Sequence, residues 1–96
     1  MNKADLVREI AARRGVSQTA AAQVVDALLA VITRTLSDGE RVELRRLGTF
    51  DVRRRAARSM RNPQSGERHR IPARLLPVFR SARPLVEKIQ SAQQRA

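Results

Sequence analysis

Eighteen consecutive residues, Arg53 through Arg70, include no Leu, Ile, Val, Phe, Tyr or Trp. A stretch this long with nothing to bury cannot belong to the core of a 96-residue chain, so it must leave the body as a disordered loop or as a two-stranded ribbon. The turn signal Asn62-Pro63-Gln64-Ser65-Gly66 sits at its centre. Residues about equally spaced on either side of that turn, Arg53 and Leu75 for example, lead into apolar strand-like segments, which favours a ribbon over about residues 53–74. An isolated ribbon is marginally stable in water, so its tip is expected to be mobile without a ligand.

The flanking segments read as regular elements. Asn2 caps a first helix with Asp5 in its first turn, and Leu6, Val7 and Ile10 form one apolar face ending near Gly15. Ser17 caps a second helix, in which Ala21, Val24, Val25, Leu28, Leu29, Ile32 and Leu36 recur at helical spacing until Ser37-Asp38-Gly39. The two predict a helical hairpin whose apolar face is wider than one short helix can cover, so a second chain is expected against it. The period then changes to two: Val42 and Leu44, then Phe50 and Val52, predict antiparallel strands tightly joined around Leu47-Gly48. Ile71, Leu76, Val78 and Phe79 restore the core pattern, with Pro72 and Pro77 suited to edge or bulge positions. Pro84 opens a last helix with the face Leu85, Val86 and Ile89, and Ser91–Ala96 read as a frayed tail.

Charge narrows the function. The chain carries net charge +11, and 18 of its 20 cations are Arg. An excess of this size calls for a polyanion, and planar guanidinium groups bind phosphate bidentately where Lys acts as a hydrated point charge. From Arg45 through Arg83 there are 12 Arg and one His against Asp51 and Glu67, so the charge concentrates on the ribbon and its base. With two Phe, no Tyr and no Trp the ribbon offers no stacking surface for single strands, whereas a two-stranded ribbon fits a groove of duplex DNA.

Other chemistries are disfavoured. No Cys is present, which removes disulfides and Cys-based zinc sites and points to an intracellular, soluble protein. The polar start Met1-Asn2-Lys3-Ala4-Asp5 predicts neither signal peptide nor membrane span. His69, the one histidine, has no nearby partners for a metal or catalytic role and reads as solvated or phosphate-facing. The nine acids are scattered, unlike the clustered carboxylates of a two-metal nuclease, so the chain is not expected to be an enzyme or to hold a cofactor or small-molecule substrate.

Gly48-Thr49-Phe50, Arg55-Ala56-Ala57-Arg58, Arg61-Asn62-Pro63-Gln64-Ser65-Gly66, Ile71-Pro72-Ala73 and Pro77-Val78-Phe79-Arg80 resemble, in order and spacing, the signature of the bacterial HU/integration host factor family. The opening Met1-Asn2-Lys3-Ala4-Asp5-Leu6 is similar to HU in particular, and the resemblance spans residues 1–90 as a single DNA-binding domain. It implies an α+β fold: a helical hairpin body, a three-stranded antiparallel sheet with a long protruding β-ribbon arm, and a C-terminal helix, assembled as an intertwined homodimer or a heterodimer with a paralogue. The arms would embrace the minor groove. Taken alone, Pro63 reads as an ordinary turn former in preference to a wedge; the resemblance makes it the intercalating residue of each arm, a mechanism for which this family is itself the known example. Arg53, Arg55, Arg58 and Arg61 match arm positions that line DNA, Asn62 flanks the wedge, and Lys3, Arg80 and Arg83 match body positions facing the flanking backbone.

Four departures stand out. Arg46-Leu47 replaces the usual Gly-Phe, adding a charge that makes Arg46 a further candidate DNA contact and removing an aromatic from the dimer region. Met60 replaces a small residue and is either a second apolar groove contact or, preferably, a gap filler against the ribbon. Ser81-Ala82 replaces Pro-Gly before the last helix, and Gln18 stands where Lys is frequent. The expected function is an architectural, nucleoid-associated protein of the bacterial cytoplasm that bends and compacts double-stranded DNA with little sequence specificity. A site-selective bender like integration host factor is the alternative, and an RNA-binding basic protein is a more remote one.

Overall fold

A computed structural model describes residues 1–94. The chain forms two compact units, Met1–Thr35 and the remainder from Leu36. In the first, α1 (Lys3–Arg14) and the greater part of α2 (Gln18–Ser37) form the hairpin read from the sequence. A capping box starts α1: the Asp5 N–H donates to Asn2 Oδ1 at 2.9 Å, and the Asn2 N–H to Asp5 Oδ2 at 3.0 Å. Ser17 Oγ accepts from the Ala20 N–H at 3.1 Å and begins α2.

The core of this unit is small. Val7, Ala11, Ala21 and Val25 are buried, with Ile10 and Ala22 packed against them, while Val24, Leu28, Leu29 and Val31 on α2 remain 46–65% exposed. By length and composition alone α2 could cross a bilayer, with mean hydropathy 1.3, which the sequence reading did not anticipate. The helix nonetheless carries Asp26 and Arg34 inside its span. The core helix of a water-soluble protein passes the same test.

The second unit is built on β1 (Val42–Leu44), β2 (Gly48–Arg55) and β5 (Arg74–Ser81), a three-stranded antiparallel sheet in the order β1-β2-β5, and on a two-stranded ribbon of β3 (Arg58–Arg61) and β4 (Arg68–Ile71). Cross-strand partners share a face. Val42, Phe50, Val52, Leu75, Pro77 and Phe79 therefore share one largely apolar face of the sheet, with Arg54 opposite Leu75, and the Phe50 and Phe79 rings meet across strands with centroids 4.9 Å apart. Leu75 and Phe79 on that face are 67% and 43% exposed.

Helix α3 (Arg83–Gln94) has Pro84 in its first turn, as expected. It runs through Gln94, so Ser91–Gln94 are helical where a frayed tail was expected. The segment contains no Gly or Pro to stop it. Residues 95–96 lie outside the described residues.

Gly48 opens β2 with φ +155°, and a Cβ there would stand 2.4 Å from the Arg80 carbonyl oxygen and 2.6 Å from Phe79 Cζ. Hydrogen alone fits between the strands. Gly48→Ala is expected to destabilise the fold by roughly 1–3 kcal/mol, as overpacking does, read as a fall in the thermal unfolding midpoint.

Candidate nucleic-acid interface

One register runs from sheet to tip. Arg55 pairs with Arg74 at the end of β2/β5, and Arg58 with Ile71 at the start of β3/β4. Both ladders are centred between Gln64 and Ser65, so the interruption at Ala56-Ala57 and Pro72-Ala73 does not shift the pairing. Pro72 has no N–H to donate, which accounts for part of the gap. The expected arm is thus two ladder segments and not one continuous ribbon. Arg53 faces Leu76, while Leu75 faces Arg54. That one-residue difference from the spacing read in the sequence moves Leu75 onto the apolar face.

At the tip the Asn62 N–H donates to the Glu67 carbonyl at 2.7 Å and the Gly66 N–H to the Asn62 carbonyl at 2.8 Å. Asn62 Oδ1 accepts from the Gln64 N–H at 2.9 Å. The side-chain oxygen of Asn62 is therefore committed to folding the turn, and its amide nitrogen is the part left for a ligand. Pro63 stands exposed at the start of the loop, without an N–H to satisfy.

Register sorts the arginines by face. On the sheet, Arg53, Arg55, Arg74 and Arg80 share one face with Asp51, Leu76 and Val78, whereas Arg54 lies on the largely apolar one. On the outer ribbon, Arg61, Arg68 and Arg70 share one face with Ser59, whereas Arg58 lies on the other with Met60, His69 and Ile71. Arg58 and Arg61, both sequence candidates, thus point to opposite sides. Met60 is 48% exposed and sits across from His69. Arg68, Arg70 and Arg74 were counted in the sequence as charge but not singled out. Reflecting each chosen residue through the centre of the turn would have found two of them, since Arg55 maps to Arg74 and Arg61 to Arg68.

Charge compensation divides the candidates again. Lys3 Nζ is ion-paired with Asp26, Arg80 Nη2 with Asp51 Oδ2 at 3.3 Å, and Arg83 Nε with Glu87 Oε1 at 2.9 Å. Arg46, Arg53, Arg55, Arg58 and Arg61 have no ion-pair partner among the described residues. An open concavity of about 520 Å³ at the arm base is lined by Arg53, Arg54, Arg55, Arg58 and Arg74. Among the described residues no group of acids, His or Cys could hold a metal ion.

A small α+β body bearing an unpacked, arginine-rich β-ribbon with a proline at its tip defines a nucleic-acid-binding β-arm protein. The family described as bacterial DNA-binding protein matches residues 1–90. The chain is 41% identical over 91 residues to the SPbeta prophage-derived DNA-binding protein HU 2 of Bacillus subtilis, covering 95% of this chain and 99% of that one. It is 42% identical over 89 residues to DNA-binding protein HU-beta of Salmonella typhimurium, covering 93% and 99%. The Anabaena HU–DNA cocrystal structure superposes with TM-score 0.85 at 37% identity, over 93% of this chain and 97% of that one. The protein belongs to the HU family of bacterial DNA-binding proteins, which is architectural and not enzymatic.

Arg46 occupies the turn between β1 and β2, closed by the Leu47 N–H donating to the Leu44 carbonyl at 3.0 Å. Its φ of +74° is left-handed, a conformation that costs a side-chain-bearing residue about 1–2 kcal/mol. Arg46→Gly should relieve that strain and raise stability by roughly 0.5–1 kcal/mol after the added freedom of the unfolded chain. If Arg46 meets a phosphate, the same variant will lower the slope of log affinity against log salt by about 0.9. Thermal unfolding and a salt-dependent duplex titration read the two effects separately.

Proposed function

We propose that this protein is an architectural DNA binder that bends and compacts duplex DNA with little sequence preference, working as a dimer on the nucleoid in the bacterial cytoplasm. The observation that carries the reading is the exposed ribbon. Every residue from Arg53 to Arg61 and from Pro63 to Arg70 except Asn62, which lies between those runs, is exposed, so neither face of the ribbon is used for folding. The uncompensated arginines would take up phosphates along the minor groove and release counterions, which gives affinity without base readout.

Pro63, exposed in the tip turn of each arm, supplies the wedge. Unstacking a base step costs about a few kcal/mol, offset by the contacts a bent duplex permits. Preference would then follow DNA deformability, so nicked or kinked sites bind more tightly than straight ones. Lys3, Arg80 and Arg83 serve the flanking backbone; each must exchange or share its acidic partner, a small cost because exposed ion pairs are worth about 0–1 kcal/mol. Residues 1–90 act together as one DNA-binding domain.

The dimer rests on unpartnered apolar surface. A four-residue core in the first unit and an exposed apolar sheet face in the second leave Val24, Leu28, Val31, Leu75 and Phe79 in water, which a second copy, or a paralogue with the same face, would cover. Sedimentation equilibrium is expected to return the mass of two chains, with monomers unfolding on dilution; a folded monomer would remove the shared-core argument.

Titrating doubly labelled straight, nicked and pre-kinked duplexes at several salt concentrations, with end-to-end fluorescence transfer, tests the bending. Binding should shorten the end-to-end distance and weaken steeply with salt. Pro63→Ala should reduce the bend more than the affinity, because the phosphate contacts survive. An unchanged bend angle removes the wedge role, and tight binding with no bend in the wild type would leave a coating protein.

A further inference from the structure

The register that sorts the arginines also sets two of them directly against two others. Across β2/β5 and β3/β4, Arg53 faces Leu76, Arg54 faces Leu75, Arg58 faces Ile71, Arg70 faces Ser59 and Arg80 faces Thr49. Each of these cations has a neutral neighbour. Arg55 faces Arg74, and Arg61 faces Arg68. Directly opposed residues on antiparallel strands hold their Cβ atoms only about 4.5–5.5 Å apart, so each pair brings two guanidinium groups within reach of one small anion. Like charges so placed oppose strand pairing. Among the described residues none of the four has an acidic partner, and Glu67, the one acid on the outer ribbon, forms no ion pair.

The two pairs stand at special places. Arg55/Arg74 closes the sheet at its junction with the interruption, and Arg61/Arg68 is the last ladder pair before the tip. They lie six positions apart along the chain, about 20 Å at 3.3 Å per residue, too far for one phosphate to serve both. We propose that Arg55 with Arg74, and Arg61 with Arg68, are two anion clamps, each of which grips one phosphodiester group between paired guanidiniums. The clamps make the pairing of the ribbon depend on its ligand. Without an anion the opposed charges loosen the ladder at the arm end of the sheet and at the tip end of the outer ribbon; with a phosphate between them, charge-assisted bidentate hydrogen bonds turn the same contacts into cross-strand ties. This assignment rests on the DNA-binding reading for the source of the phosphates, but it makes a separate claim about free protein and small anions.

The test uses the full-length protein and two charge reversals, Arg68→Glu and Arg74→Glu, each of which sets a carboxylate opposite the remaining arginine. Arg14→Glu, with the same change in net charge on α1, is the control. Amide hydrogen exchange in the arm is followed in low salt, with and without inorganic tripolyphosphate as the probe anion, and the salt dependence of duplex binding is measured alongside. Tripolyphosphate should slow exchange in the wild-type and Arg14→Glu arms. Arg68→Glu should slow exchange near the tip, and Arg74→Glu near the arm base, with no anion present, and each should lose the response to tripolyphosphate at its own end. The log–log salt slope for duplex should fall by at least about 0.9 for each reversal, and by less for Arg14→Glu.

Arm exchange unaltered by the reversals, or salt slopes no different from that of Arg14→Glu, would overturn the clamps. If the wild type bends duplex while both reversals behave like the control, the clamps fall and the bending function stands. If tripolyphosphate protects the wild-type arm and the reversals abolish that protection, but duplex is bound without a bend, the clamps stand and the bending function falls.

Discussion

Backbone pairing about a single centre, the peptide between Gln64 and Ser65, governs the strand-built part of this protein. Because successive strand residues alternate faces, that centre decides which side every arginine occupies. It places Phe50, Val52, Pro77 and Phe79 on one face of the sheet and Arg53, Arg55, Arg74 and Arg80 on the other. Arg54 falls with the first set, opposite Leu75, and Leu76 and Val78 fall with the second. The closed tip, with the Asn62 N–H bonded to the Glu67 carbonyl and Asn62 Oδ1 holding the Gln64 N–H, is the local structure that pins the register.

The distribution of acids then separates two kinds of cation. Lys3, Arg80 and Arg83 each sit beside a carboxylate, so their charge is partly balanced before any ligand arrives. Arm arginines have no such balance. Solvent and mobile ions are left to screen them. A chain with net charge +11 would suffer from self-repulsion in a compact body. Much of the uncompensated part lies on a ribbon whose residues are exposed to solvent, where water and salt screen it.

Apolar surface tells a complementary story. The first unit buries four side chains, and α2 leaves most of its apolar stripe exposed. The same helix that passes for a membrane span by composition is the one whose surface most needs a protein neighbour. Local strain appears at the turn between β1 and β2, where Arg46 holds a left-handed backbone angle that glycine would adopt freely.

Much of this was legible in the sequence because it depends on local rules. Asn2 with Asp5, and Ser17, announce helix starts by capping chemistry that acts within one turn. The change from helical to alternating spacing after Gly39 marks the strands, and Asn62 to Gly66 carries the turn. The arginine surplus and the absence of large apolar residues between Arg53 and Arg70 pointed to a charged ribbon suited to a duplex groove, and the resemblance supplied the role of Pro63. The end of α3 was misjudged because no strong stop signal separates Gln90 from Gln94, and polar residues continue a helix as readily as they fray it. The pairing of Arg55 with Arg74 and Arg61 with Arg68, the separation of Arg58 from Arg61, and the balance of Lys3 by Asp26 belong to the tertiary structure alone. Each depends on which backbone positions meet across space, and a shift of one residue, invisible in composition and periodicity, reverses the face on which a side chain stands.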